Sequence, residues 1–205
     1  MIWKNILKTT IFTSLLFGLS QEYKINNEKL ANIDNTKSVF LNYNSFSKQP
    51  KFKNTKEKVY IIGLGDVDFS ILNDACEIVE NFYGYNGVVV GRSNIDSKHY
   101  FKNTDIICAD SYLSEIDNES KKIIITNKQL YSADGTKLRG YTYLNGKNVL
   151  MRGDNSFLRE TLIHEVGHTL GLRHCDDLSC IMAINNDEED SGDFCNKCKK
   201  TLNIE

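Results

Sequence analysis

Apolar positions show no sustained period over the first fifty-odd residues, then fall into short runs divided by polar stretches. Residues 59–65 (VYIIGLG) form a β-branched run closed by glycine, the pattern of a buried strand. Asp66-Val67-Asp68 is the loop after it. Ser70 can then cap a helix whose apolar positions Ile71, Leu72, Ala75, Ile78, Val79 and Phe82 recur mostly three and four apart. Gly84 ends that helix. Residues 88–90 predict a second strand, 123–126 a third, 141–144 a fourth and 149–151 a fifth. Between the second and third, residues 100–116 are expected to contain a helix, since Ile107, Cys108, Tyr112, Leu113 and Ile116 can share a face. A further helix covers 157–170, with Asp154, Asn155 and Ser156 as candidate caps and Gly171 as its stop. Strands alternating with helices predict an α+β fold: a twisted mixed sheet with helices packed on it, without internal repeats.

The first twenty residues carry a different pattern. Lys4 and Lys8 precede an uncharged run over 9–19 containing Ile11, Phe12, Leu15, Leu16, Phe17 and Leu19, and Gly18 and Ser20 are small residues before a cut after Ser20. This is the layout of a secretory signal peptide, so the protein is expected to be exported, periplasmic or secreted. A buried N-terminal helix is the alternative reading. The run is shorter than the roughly 20 apolar residues that span a bilayer, so no stable membrane insertion is expected once it is removed. Residues 21–57 are polar, with lysines outnumbering acids, and predict a loose lead-in or a short pro-segment. The expected domains are therefore 1–20, 21–57 and 58–205.

Composition narrows the function classes. The chain has 205 residues, 40% hydrophobic and 25% charged, with a formal net charge of -2. That is ordinary for a globular protein, expected here as a monomer, and it gives no basic surface for nucleic acid or anionic lipid.

The chemistry sits in the last fifty residues. On the helix over 157–170, His164 and His168 are four apart and share a face one turn apart. Each can give one ring nitrogen to zinc, and Glu165 can work on the metal's water as general base. Two histidines leave the ligand set incomplete. Gly171 releases the chain from the helix, and His174 follows three residues later as third ligand, completing H-E-V-G-H-T-L-G-L-R-H. A rival reading takes Glu188 or Glu189 as the third ligand and leaves Gly171 and His174 without a role. His99, the remaining histidine, reads as a surface residue. Cys175 and Cys180, then Cys195 and Cys198, form two close pairs separated by a loop, the spacing of a structural zinc site made of four thiolates. Two disulfides between the pairs are the alternative, since export permits them. Met182 fits the methionine turn beneath a metzincin zinc. Cys76 and Cys108 read as core thiols on apolar helix faces, with a mutual disulfide as the lesser option, and residues 187–190 with Asp193 read as a solvated acidic loop.

The string H-E-V-G-H-T-L-G-L-R-H-C, then C-I-M, then C-N-K-C, over 164–198, resembles the archaemetzincins. Weaker similarity reaches back to Val59 through GLGDVD and the A-D-S-Y-L around residue 109. The resemblance implies a metzincin-like zincin fold, a catalytic zinc on His164, His168 and His174, and a second zinc on Cys175, Cys180, Cys195 and Cys198, two ions per chain. It departs from the family in the short stretch 183–194 and in the leader. The expected function is hydrolysis of peptide bonds in a peptide or protein substrate, with Glu165 as base and residues 141–144 as the edge along which an extended peptide pairs. The alternatives are a zinc-bearing binding protein without turnover and a hydrolase of a non-peptide amide.

Overall fold

The structure is a computed structural model, and it describes residues 52, 57–153, 156–184 and 192–204. The leader, nearly all of the lead-in, the candidate caps Asp154 and Asn155, and the acidic run with Glu188 and Glu189 lie outside the described residues.

The first predicted strand is β1 (Lys58–Leu64). It leads into α1 (Phe69–Tyr83), which begins two residues earlier than a Ser70 cap would place it. The reason is the cap: Asp68, not Ser70, closes the helix, its Oδ1 accepting the Ser70 N–H at 3.0 Å. Gly84 ends α1 in the left-handed conformation, as predicted. The second strand is β2 (Asn86–Ser93).

The helix expected within 100–116 is α2 (Ala109–Glu115). Ile107 and Cys108 instead form β3 (Ile107–Cys108), which pairs with β5 (Leu130–Tyr131). β6 (Lys137–Leu138) completes a three-stranded sheet too short in each strand to leave a period in the sequence.

The main sheet adds β4 (Lys121–Thr126), β7 (Gly140–Thr142) and β8 (Asn148–Arg152), in the order β2-β1-β4-β8-β7. The first four strands run parallel, and β7 lies antiparallel on the edge. Parallel strands are covered on both faces, which is why β1, β4 and β8 read as continuous apolar runs rather than alternating ones. Ile61, Ile123, Ile125, Val149 and Met151 point to one face. There they meet Leu72, Val79 and Phe82 of α1 and Leu162, Ile163 and Val166 of α3 (Leu158–Thr169). Leu64, Ile124 and Leu150 point to the other face, against Tyr112 and Leu113 of α2. A last helix, α4 (Asn196–Leu202), follows Cys195.

The lead-in reaches this core at Phe52, whose ring lies 4.9 Å from that of Tyr83. His99 is buried at 5% exposure, against the expectation of a surface position. Its Nδ1 lies 3.2 Å from Ser111 Oγ and its ring meets Tyr112 edge-on, contacts made by α2 after folding. Cys76 and Cys108 are free and half-buried. Cys76 lies on α1 as expected; Cys108 stands at the end of β3, not on a helix face. Among the described residues no helix is long and apolar enough to cross a membrane.

Candidate metal centre

α3 carries two of the predicted ligands. It spans Leu158–Thr169, one residue shorter at each end than predicted, and Ser156 does not cap it; Phe157 takes the cap position without a side-chain bond. Tyr83, fully buried on α1, fixes the helix by donating its hydroxyl to Ile163 O at 2.7 Å.

His164 and His168 stand one turn apart with ring centroids at 4.7 Å. Each gives its Nδ1–H to a main-chain carbonyl: His164 to Ile181 O at 2.8 Å and His168 to Leu172 O at 2.7 Å. A carbonyl only accepts, so the proton of each neutral ring is on Nδ1 and each Nε2 presents a bare lone pair. Burial holds His164 down to about 4, against the pull of its carbonyl bond and with help from the other two histidines. Burial likewise lowers His168. The two Nε2 atoms are 3.0 Å apart. Two lone pairs that close repel unless a cation lies against both.

Gly171, at φ 90°, turns the chain after the helix, a conformation that glycine adopts without strain. The turn returns His174, whose ring centroid is 5.3 Å from that of His164 and 4.8 Å from that of His168. The three ligating nitrogens lie within 4.8 Å of one another. Tetrahedral zinc with its usual bonds would set them about 3.3 Å apart, so the donor set fits that ion with little movement. Holding the Nδ1 atoms on carbonyls is also how metal-bound histidines are normally oriented.

Glu165 is 7% exposed, and burial pushes its carboxyl up to about 8. It lies under β7: a Cβ built on Gly140 would stand 2.7 Å from its Oε1. Met182 is fully buried, with its sulfur 2.6 Å from where a Cβ of Gly167 would be. The glycine in H-E-V-G-H therefore makes room for the methionine against the ligand helix.

The four cysteines also come together, their sulfurs within 4.8 Å of one another. Cys175 Sγ is 3.7 Å from Cys195 Sγ, and Cys180 Sγ is 3.7 Å from Cys198 Sγ. Four sulfurs about 2.3 Å from one tetrahedral zinc sit about 3.8 Å apart, whereas a covalent disulfide is about 2.05 Å. All four thiols are free, so the geometry fits the zinc reading and not the disulfide alternative. Cys195 N donates to Cys180 Sγ at 3.3 Å. The two centres share a frame: Cys175 follows His174 in the chain, and its N–H donates to Met182 O at 2.8 Å.

The structure thus brings together every predicted ligand. Sequence reasoning missed the Ile181 and Leu172 carbonyls, which any residue could supply. It also missed Gly140 and Gly167; the one available cue was a glycine at the head of a predicted strand, a mark of close backbone approach.

The family model described as Peptidase family M54 matches residues 148–204, the stretch from β8 through both clusters to α4. An archaemetzincin of Natronomonas pharaonis is 27% identical over 146 residues, covering 60% of this chain and 84% of that protein. The crystal structure of an archaemetzincin from Methanopyrus kandleri superposes with a TM-score of 0.61 at 22% identity, over 72% of this chain and 94% of that one. One from Archaeoglobus fulgidus, complexed with malonate, gives 0.63 at 21% identity, over 70% and 99%. The fold is that of these structures. In sequence, residues 148–204 match peptidase family M54 and the chain is similar to the archaemetzincins, whose fold it shares.

Proposed function

We propose that this zinc-dependent peptidase hydrolyses peptide bonds with a catalytic zinc on His164, His168 and His174 and with Glu165 as general base. The observation that carries the reading is the pair of neutral histidines whose bare Nε2 atoms face each other beside a buried carboxyl. When bound there, zinc would supply a Lewis acid for the scissile carbonyl and would lower the pKa of a bound water to about 7.

The protein's own groups do the rest. Neutral imidazoles leave the ion's charge undiminished for the developing oxyanion. Glu165 takes a proton from the attacking water on a carboxylate oxygen and returns it to the leaving amine. Burial alone would keep that carboxyl protonated at neutral pH. His164, His168 and His174 would hold a dication beside Glu165, whose charge would oppose this shift and favour the carboxylate that acts as base. The free edge of β7, antiparallel to β8, offers main-chain groups to an extended peptide. Cys175, Cys180, Cys195 and Cys198 would hold a second, structural zinc on four thiolates, a donor set that would leave no position open for chemistry.

Glu165→Ala tests the reading. The variant should keep its fold and zinc and lose at least about 10²-fold in peptide hydrolysis. Wild-type hydrolysis by that variant would remove Glu165 from the mechanism. Full zinc binding with no turnover of any peptide library by the wild type would favour a binding protein, and turnover confined to other amides would favour the non-peptide hydrolase.

Export is proposed on the leader alone: residues 1–20 are removed and the mature chain starts near Gln21. Mass spectrometry of the protein from its native host should find that start. Retention of Met1 in the bulk of the protein would refute it.

A further inference from the structure

We propose that Gly140 is a positioning residue for Glu165: the missing side chain at the head of the edge strand fixes where the catalytic carboxylate sits. The proposal rests on Glu165 being the general base.

Glu165 is buried, yet no hydrogen bond from a described residue reaches its carboxylate, and burial is what shifts it. Its position is therefore set by packing. A Cβ on Gly140 would stand 2.6 Å from Glu165 Cγ, 2.7 Å from Oε1 and 2.9 Å from Cδ. Carbon atoms at ordinary contact are about 3.5–4.0 Å apart, so the α-carbon of Gly140 and the glutamate occupy space that no side chain could share. The glycine is not there for its backbone freedom, since Gly140 is absent from the residues with positive φ. Alanine would suit this strand conformation and fail only on the contact.

What gives way when that contact is overfilled follows from what holds each partner. β7 is held along its length. Gly140, Tyr141 and Thr142 pair in register with Met151, Leu150 and Val149. Just before the strand, Arg152 N donates to Arg139 O at 2.8 Å. Within it, Tyr141 Oη donates to Asp110 Oδ1 at 2.5 Å and Thr142 Oγ1 to Asn148 O at 2.7 Å. Just after it, Asn145 N donates to His168 O at 2.9 Å, tying the hairpin to the end of α3. The Glu165 side chain is held by packing alone, with no such bond from a described residue, and its end can turn about its own torsions. A side chain at 140 therefore displaces the carboxylate and leaves the strand, the helix and the histidines in place.

The test is Gly140→Ala, read by kcat and KM separately, by zinc content and by melting temperature. A misplacement of about 1 Å costs roughly 10²-fold in rate, so kcat should fall by that order while KM and zinc content stay near wild type. A melting-temperature cycle reads the same contact without turnover. The shift caused by Gly140→Ala should be more favourable in a Glu165→Ala background, where Cγ, Cδ and Oε1 are gone. Equal shifts in the two backgrounds, or wild-type kcat in Gly140→Ala, would overturn the proposal. So would a raised KM at unchanged kcat, which would mean that the strand moved instead. Failure of the underlying reading looks different: Glu165→Ala would then itself turn over peptides at the wild-type rate.

Discussion

Replacing Cys198 by serine removes one sulfur of four while changing little volume, so its effect reports the metal more than packing. Cys198 is 5% exposed and its sulfur lies 3.7 Å from that of Cys180. A structural zinc contributes about 10–16 kcal/mol of apparent binding free energy in small domains, so one ligand in four is worth about 2.5–4 kcal/mol. For a chain of this length each kcal/mol moves the melting temperature by about 2–4 °C, giving a fall of roughly 5–16 °C. The damage should then spread to the histidine centre along a short path. Cys175 N is bonded to Met182 O at 2.8 Å, Ile181 N to Asp193 O at 3.0 Å, and Ile181 O receives the His164 Nδ1–H. Outer partners of this kind are worth about 10–100-fold in metal affinity. Cys198→Ser should therefore lose one zinc by elemental analysis, melt lower, and yield its remaining zinc to a chelator about 10–100-fold more readily. His174→Ala should lose activity with a smaller fall in melting temperature. A Cys198→Ser protein with two zinc ions and the wild-type melting temperature would refute this account, as would a wild type with one zinc and four disulfide-bonded cysteines.

Gly167→Ala should cost about 1–3 kcal/mol by overpacking, since its Cβ would stand 2.6 Å from the Met182 sulfur; a denaturant midpoint equal to wild type would contradict the contact. Tyr83→Phe removes the buried hydroxyl bond to Ile163 O and should cost about 1 kcal/mol in the same assay, with no loss expected if α3 is held by packing alone. In metal-stripped protein, His164 lies near 4 when folded and near 6.5 when unfolded. Its contribution is therefore complete above pH 6.5 and lost as pH falls toward 4, up to about 3 kcal/mol. Urea midpoints across that window should show it in a Glu165→Gln background, which removes the opposite trend of Glu165. A flat profile there would mean that His164 is not buried as neutral imidazole.

Both candidate metal clusters were legible in the sequence because their residues carry chemical identity at offsets that local geometry fixes. His164 and His168 meet because a helix places residues four apart on one face, and His174 returns because Gly171 takes a positive φ. What orients these groups was not legible, and the reason is physical. The carbonyls of Ile181 and Leu172 would serve equally on any side chain. His99 sits among polar neighbours in the chain, and α2 buries it only when the fold closes. The strands β3, β5 and β6 are two residues each, too short for any period to appear. Glycine is the extreme case. At Gly171 the need is local, and the spacing to His174 gives it away. At Gly140 and Gly167 the need is for empty space, and its occupants, Glu165 and Met182, are 25 and 15 residues away in the chain. A sequence shows that a side chain is missing; only the packed structure shows which atom fills the place it would have taken.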